Sequence, residues 1–258
     1  MRQLSLAELT PDNAGQAGAT ARTVQELRMV RMLASVATLE EADQAVALGA
    51  DLVDLKDPAR GALGAWPVPL VRAAVTAHGG RRPLSATVGD LPMEPELLHA
   101  AAASMAATGV DYVKVGFFAG GNAEACAAAM APLAAGGVQL VAVMMADQQP
   151  RLDLLAHLAA AGWHGAMLDT ADKRAGGLRT HLAPDELAAF VAAARAHRLL
   201  VGLAGSLGIS DVPPLAALEP DYLGFRGALC RGPRTSGLDA GRLAAVRAAM
   251  ATASPAPA

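Results

Sequence analysis

Three lysines are the residues of this chain whose type and spacing could do covalent chemistry. The sequence has 21 basic residues, and only Lys56, Lys114 and Lys173 are lysines; the others are arginines. An ammonium group can lose its proton and act as a nucleophile, whereas a guanidinium in practice cannot. A lysine that is partly desolvated or near other cations has a lowered pKa, and its free amine can form an imine with an aldehyde or ketone. The lysines therefore predict Schiff-base chemistry on a carbonyl compound.

Two aspartates accompany these lysines at positions that suit proton transfer. Asp54 lies two residues before Lys56, and residues two apart on a strand share a face. Asp169 ends a later apolar run, shortly before Lys173. Carboxylates beside an imine can move the protons of enolisation, aldol addition or elimination. These five residues are the candidate catalytic group, although a structural Lys56–Asp54 ion pair, or a lysine at 173 that only binds phosphate, would explain part of the pattern.

A repeating pattern of short apolar runs and Ala/Leu-rich helical stretches must position these side chains. The runs predict eight strands, at Met32–Val36, Leu52–Leu55, Leu84–Val88, Tyr112–Val115, Leu140–Met145, Ala166–Leu168, Leu199–Leu203 and Tyr222–Phe225. The stretches predict helices at Leu39–Leu48, Val68–His78, Glu94–Thr108, Ala123–Leu133, Leu152–Ala161, Pro184–His197, Ile209–Leu218 and Ala240–Met250. Thr38 with Glu41 is typical of a capping box, and Asn122 and Asp239 are predicted helix caps.

Strict alternation of strands and helices predicts a parallel sheet. Eight units in 258 residues favour closure into an α/β fold of the (β/α)8 TIM-barrel type, and the first strand lacks the glycine fingerprint of a dinucleotide-binding domain. The three lysines fall at or just beyond strand ends, where such barrels build their active sites. Because side chains from alternate strands share a layer inside the barrel, Lys56, Lys114 and Asp169 are expected to meet around one point.

Two glycine-rich turns follow the predicted seventh and eighth strands, where barrels of this type commonly bind phosphate. The first contains Gly205 and Ser206, and the second contains Arg226 and Gly227. Glycines let backbone N–H groups approach an anion, and an arginine would add a charged fork. We expect these four residues to bind a phosphorylated substrate; the alternative is that the glycines only turn the chain.

Composition excludes several other classes of protein. Hydrophobic residues make up 53% of the chain and charged residues 17%, which predicts a large buried core. A net charge of −3 without a basic run argues against nucleic acid as the partner, and no apolar stretch is long enough to cross a membrane. The histidines and cysteines show no metal-site spacing, so neither a metal nor another cofactor is predicted. We expect a cytoplasmic homo-oligomer with an N-terminal extension over 1–28, a catalytic barrel over 29–252 and a disordered tail over 253–258.

Six segments of the chain form a recognisable set: GADLVDLKDP with GALGA (49–58 and 61–65), SATVGDLP (85–92), DYVKVG (111–116), AMLDTA (166–171), LAGS (203–206) and RGALC (226–230). In this order, along nearly the whole barrel, they resemble the (5-formylfuran-3-yl)methyl phosphate synthases of the methanofuran pathway. The resemblance implies a TIM barrel that condenses two molecules of glyceraldehyde 3-phosphate, with loss of phosphate and water. It further implies that Lys56 is the Schiff-base lysine, that Asp54 is its neighbouring aspartate, and that Lys114, Asp169 and Lys173 complete the site.

The chain departs from that family in its N-terminal extension and in the segment Ala146–Arg151, and its arginine and alanine content suggests a bacterial member. Two other functions stay open from the sequence. One is another Schiff-base aldolase that acts on a phosphorylated sugar. The other is a non-catalytic barrel that binds a phosphorylated metabolite and would form no imine.

Overall fold

Eight parallel strands close into a barrel in the computed structural model, which describes residues 29–253. Each strand pairs with the next along the chain, and β8 pairs with β1 through the register Leu33 with Gly224. The predicted TIM barrel is therefore confirmed. The strands are β1 (Arg31–Val36), β2 (Leu52–Leu55), β3 (Leu84–Thr87), β4 (Tyr112–Phe117), β5 (Gln139–Met145), β6 (Gly165–Asp169), β7 (Leu200–Leu203) and β8 (Tyr222–Phe225).

Helices follow the strands and cover the outside of the barrel. They are α1 (Leu39–Ala47), α2 (Val68–His78), α3 (Pro95–Ala106), α4 (Ala123–Ala129), α5 (Ala131–Ala135), α6 (Leu154–Ala160), α7 (Leu178–His181), α8 (Pro184–Ala196), α9 (Val212–Ala216) and α10 (Ala240–Ala253). Short 3-10 turns lie at Pro58–Arg60, Ala146–Gln148, Ile209–Asp211 and Gly227–Leu229. The predicted extension over 1–28 and residues 254–258 of the predicted tail lie outside the described residues.

Two predicted helices are divided in the structure. The single helix expected over Ala123–Leu133 is α4 followed by α5, because Pro132 has no N–H for a continuous helix and is tolerated only in the first turn of a new one. The helix expected over Ile209–Leu218 is a 3-10 turn and then α9, which carries two prolines in its first turn. The turn-like helix α7, which lies in the loop after β6, was not predicted.

The predicted helix caps are present with one change. The side chains of Asn122 and Asp239 accept hydrogen bonds from Ala125 N at 2.9 Å and Arg242 N at 2.9 Å. Thr38 Oγ1 accepts from the N–H of Glu41 at 3.2 Å, which is half of a capping box. The carboxylate of Glu41 does not return to the N–H of Thr38. It accepts from Ala37 N at 2.6 Å and is otherwise directed toward the β8 loop.

Aspartates at the amino ends of strands join neighbouring strands at the floor of the barrel. Asp51 accepts from Met32 N at 2.9 Å, Asp111 from Leu84 N at 2.7 Å and Asp221 from Val201 N at 2.6 Å. Each carboxylate thus satisfies a backbone donor of the preceding strand. The sequences Gly-Ala-Asp at 49–51 and Gly-Val-Asp at 109–111, each between a helix and the next strand, both end in such an aspartate.

The strands separate two apolar layers. Outward side chains such as Val53 and Leu55 pack under the helices, whereas Leu33, Leu52 and Val143 pack with others inside the barrel. Burying this much apolar surface is the main favourable term in the stability of the fold. The inward residues are apolar near the floor and become polar toward the carboxyl ends of the strands. In residues 29–253, no helix is long and apolar enough to cross a membrane.

Candidate active site

Five ionisable side chains meet inside the barrel near the carboxyl ends of β2, β4 and β6. Asp54 and Lys56 point inward from β2 and its end, Lys114 points inward from β4, and Asp169 is the last residue of β6. Lys173 enters from the loop after β6. The first four are buried and Lys173 is nearly so. The structure therefore brings together all five residues of the predicted catalytic group.

Their charges alternate along a row that runs from β4 to the β6 loop. Lys114 Nζ lies 2.9 Å from Asp54 Oδ1, and Lys56 Nζ lies 4.0 Å from Asp54 Oδ2. On its other side Lys56 Nζ lies 3.4 Å from Asp169 Oδ2, and Lys173 forms an ion pair with Asp169 Oδ1. We call Lys114, Asp54, Lys56, Asp169 and Lys173 the Lys–Asp row. Lys56 stands at its centre, within reach of both carboxylates.

Additional hydrogen bonds fix the orientation of both carboxylates. Ser85 of β3 donates its hydroxyl to Asp54 at 2.5 Å. Asp169 accepts from the backbone N–H of Thr170 at 2.8 Å, and Lys173 also donates to Thr170 Oγ1 at 3.1 Å. Each carboxylate is thus held by groups beyond its two lysines, which leaves little freedom in the position of its oxygens.

Burial and charge act in opposite directions on these groups. Burial raises the pKa of Asp54 and of Asp169, but the neighbouring lysines outweigh burial and hold both pKa values below the usual range. Burial lowers the pKa of Lys114 and of Lys173, although Asp54 and Asp169 oppose that effect. At neutral pH both carboxylates are ionised and able to accept a proton from a neighbouring group.

A cavity of about 270 Å³ opens above the row, between β1, β2, β6 and the loops after β7 and β8. Asp54, Lys56, Asp169 and Lys173 line one side of it. The other side is formed by the two predicted glycine-rich turns, including Gly205, Ser206 and Gly227. Lys114 does not reach this cavity: it lies beneath, with its ammonium 5.6 Å from the ring centre of the buried Tyr222. It can act on a ligand in the cavity only through Asp54.

Comparison with known proteins identifies the family of this chain. Residues 32–247 match the family model described as 4-HFC-P synthase, which is nearly the whole of the barrel.

The chain belongs to the 4-HFC-P synthase family.

Relatives of this chain carry the name of the corresponding enzyme. A protein of Methylorubrum extorquens named "Putative (5-formylfuran-3-yl)methyl phosphate synthase" is 49% identical over 211 residues, covering 81% of this chain and 87% of the relative. The (5-formylfuran-3-yl)methyl phosphate synthase of Archaeoglobus fulgidus is 34% identical over 210 residues, covering 76% and 88%. This member of the 4-HFC-P synthase family is thus similar to enzymes over most of their length.

Solved structures of other enzymes share the fold. The 3-hexulose-6-phosphate synthase of Salmonella typhimurium superposes with a TM-score of 0.64 at 17% identity, covering 87% of this chain and all of that one. The phosphoribosyl anthranilate isomerase of Thermus thermophilus gives 0.60 at 19% identity, with 86% and 99% covered. At such identities the likeness concerns the barrel alone.

Arg226 is held by protein acceptors in this family member. Its guanidinium forms a buried ion pair with Glu41 of α1 and donates to the carbonyls of Ser35 at 3.2 Å, Arg234 at 2.7 Å and Ser236 at 2.8 Å. The donors of its fork are therefore occupied by protein acceptors. Arg226 thus anchors the β8 loop to the start of α1 while also lining the cavity, and its binding of phosphate stays a prediction.

Arg234 is the residue that sequence reasoning missed. It lies in the loop after β8, is partly buried, and lines the same cavity as Asp169 and Lys173. Its guanidinium donates to the carbonyl of Gly61 at 3.3 and 3.4 Å, both weak bonds by their length. A signal was present in the sequence, since Arg234 follows the Arg-Gly-Ala-Leu-Cys segment by only four residues, but nothing in the spacing separated it from other arginines.

The loop after Lys56 is held in place by a carboxylate from the neighbouring loop. Asp90 accepts from the N–H groups of Ala62 at 2.8 Å and Leu63 at 2.7 Å. The GALGA segment of the 4-HFC-P synthase family therefore forms a fixed rim above β2. Within residues 29–253 there is no group of three histidine, cysteine or acidic side chains placed to hold a metal ion.

Proposed function

We propose that this chain condenses two molecules of glyceraldehyde 3-phosphate to (5-formylfuran-3-yl)methyl phosphate, with loss of inorganic phosphate and water, through a Schiff base on Lys56. The proposal rests on one observation above all. Lys56 stands at the edge of the cavity between two ionised carboxylates, in a chain whose relatives are named after that product. The product would enter the synthesis of a methanofuran-type carrier.

The first steps assign a role to each member of the Lys–Asp row. The unprotonated amine of Lys56 attacks the aldehyde carbon, and the resulting carbinolamine loses water to form a protonated imine. Asp169 and Asp54 flank the nitrogen and take or return protons during imine formation and enolisation. Lys114 supplies protons to Asp54 from below. Loss of phosphate, aldol addition to the second triose and ring closure repeat such transfers.

The phosphate group is proposed to bind at the opposite side of the cavity. Backbone N–H groups of the turns that contain Gly205, Ser206 and Gly227 offer donors there, and Ser206 adds a hydroxyl. Arg234, in place of Arg226, supplies the planar charged fork. Lys173 lines the same cavity and pairs with Asp169, so it can balance the charge of a bound phosphate as well as that of the carboxylate. Association of the chain with copies of itself stays a prediction, which sedimentation velocity would test.

The test is to trap the imine. The protein is incubated with glyceraldehyde 3-phosphate and borohydride, and the adduct is located by peptide mass spectrometry; furan formation is followed in parallel without borohydride. We expect an adduct on Lys56. The Lys56→Arg variant, which keeps the charge but cannot form an imine, should show no adduct there and lose ~10³-fold or more of furan formation.

The result separates three functions. An adduct together with the furan supports the proposal. An adduct without the furan would instead indicate another Schiff-base aldolase. A folded protein with neither would indicate a barrel that binds phosphorylated metabolites without covalent catalysis.

A further inference from the structure

Ser35 carries a buried hydroxyl that none of the roles above uses. It is 3% exposed, lines the cavity that Lys56 faces, and its Oγ atom has no hydrogen-bond partner within residues 29–253. No other residue of the cavity wall has a buried side-chain nitrogen or oxygen in this condition. Because a buried hydroxyl without a partner is costly, a position of this kind inside a site points to a polar group of the ligand.

The strand order places Ser35 between the two ends of the proposed substrate. β1 lies between β2, which leads to Lys56, and β8, which leads into one of the two phosphate turns. Ser35 is the register partner of Asp54, so both side chains face the interior at one level. The Ser35 carbonyl accepts from Arg226, which fixes the end of the strand.

A triose phosphate that is joined to Lys56 and places its phosphate at the turns after β7 and β8 must extend over β1. Its C1 carbon is joined to the nitrogen of Lys56, and its C3 phosphate reaches the turns after β7 and β8. The middle carbon, C2, then lies over β1. The neighbouring inward positions Leu33 and Gly224 present no polar side-chain atom to it. Ser35 is the residue of β1 with a polar side chain among those that line this part of the cavity.

We propose that the hydroxyl of Ser35 hydrogen-bonds the oxygen on C2 of the triose phosphate attached to Lys56, and that it thereby selects 2-hydroxyaldehyde phosphates. This inference rests on the proposed function, since it requires the imine on Lys56. It assigns Ser35 a direct substrate contact that the charged residues of the Lys–Asp row do not provide.

The experiment compares two aldehydes that differ only at C2. Borohydride trapping on Lys56 is measured at low substrate concentration with glyceraldehyde 3-phosphate and with 3-oxopropyl phosphate, which lacks the C2 hydroxyl. We expect Ser35→Ala to slow trapping of glyceraldehyde 3-phosphate about tenfold, and that of 3-oxopropyl phosphate less than about twofold, because only the first loses a hydrogen bond. Ser35→Cys, which keeps most of the side-chain volume but bonds weakly, should give the same pattern.

The matched control is Thr108→Val, which removes a buried hydroxyl at the opposite end of the barrel. It should change trapping of both aldehydes equally or not at all. Equal effects of the Ser35 variants on the two aldehydes, or no effect on either, would overturn the role of Ser35 and leave the proposed function intact. Absence of any adduct in the unaltered protein would overturn the proposed function, and the role of Ser35 with it.

Discussion

Two arginines of the β8 loop show that charge near a site does not by itself make a ligand-binding residue. Arg226 lies on the predicted phosphate turn, but Glu41 and three carbonyls occupy its donors. Arg234 makes only long bonds to Gly61, so an incoming phosphate can replace them at small cost. We therefore expect the two side chains to have separable roles, Arg226 in stability and Arg234 in the proposed binding of phosphate.

We expect Arg234→Ala to weaken the binding of inorganic phosphate about tenfold or more, since a hydrogen-bonded charge pair is lost. The matched control is Arg231→Ala in the same loop, whose side chain is 79% exposed and paired with Asp239; its phosphate affinity should not change. Isothermal titration calorimetry measures both. Unaltered affinity in Arg234→Ala would show that the phosphate is held by the turns and Lys173 without Arg234.

We expect Glu41→Gln to lower the stability of the protein and to leave its phosphate affinity unchanged. It removes one partner of a buried ion pair, which costs about 3 kcal/mol of stability because the charge of Arg226 is left uncompensated. Urea denaturation measures this loss, and titration of the folded variant should show phosphate affinity near that of the unaltered protein. A variant of full stability would contradict the anchoring role given to Arg226.

The alternation of strands explains why the Lys–Asp row could be predicted from sequence. Period-two patterns in β2 and β4 assign inward faces to Asp54, Lys56 and Lys114, and the barrel rule brings alternate strands together. The pairing of Arg226 with Glu41 could not be predicted, because it joins residues 185 positions apart and depends on the exact path of the β8 loop. The lack of a partner for the Ser35 hydroxyl could not be predicted either, because it depends on which groups the closed barrel places around that side chain.

The turn after β7 depends on one backbone conformation. Gly205 has a φ of +110°, and a Cβ atom there would lie 3.1 Å from Thr170 Cγ2. We expect Gly205→Ala to raise the KM for glyceraldehyde 3-phosphate about tenfold, because the turn that presents the N–H groups must shift. Steady-state kinetics measure this change.

A second glycine with a positive φ provides the control for that substitution. Gly137 has a φ of +89°, lies on the far side of the barrel, and leaves open space around an added Cβ. Gly137→Ala should lose about 1 kcal/mol of stability, as any residue does in this region, with an unchanged KM. An equal rise of KM in both variants would mean that general destabilisation, and not the phosphate turn, sets the effect.

The stability of the whole barrel is linked to the charge state of its interior. The pKa values of Asp54 and Asp169 are lowered in the folded protein, so the unfolded chain binds more protons as the pH falls below the unfolded value of about 3.9. The two carboxylates contribute stability above that value, and the contribution is lost as the pH falls through their folded pKa values. We expect the melting temperature to decrease steadily from about pH 5 to pH 3.

The acid dependence should become less steep in Asp169→Asn, which removes one of the two titrating groups. Asp185→Asn, at an exposed position in the first turn of α8, serves as the control and should keep the steepness of the unaltered protein. Differential scanning calorimetry between pH 5 and pH 3 measures the melting temperatures of both variants and of the unaltered protein. A melting temperature that is constant between pH 5 and pH 3 would contradict the linkage.

The Lys–Asp row also contributes to the net charge of the barrel mouth, which is the end at which the cavity opens. Together with Arg234 it carries four formal positive charges and two negative ones, an excess of two. A phosphate monoester at neutral pH brings about two negative charges, so one bound triose phosphate leaves the mouth close to neutral. A second bound triose phosphate would give the mouth an excess of about two negative charges. In the proposed reaction, departure of inorganic phosphate from the first triose would therefore restore neutrality when two substrates share one cavity.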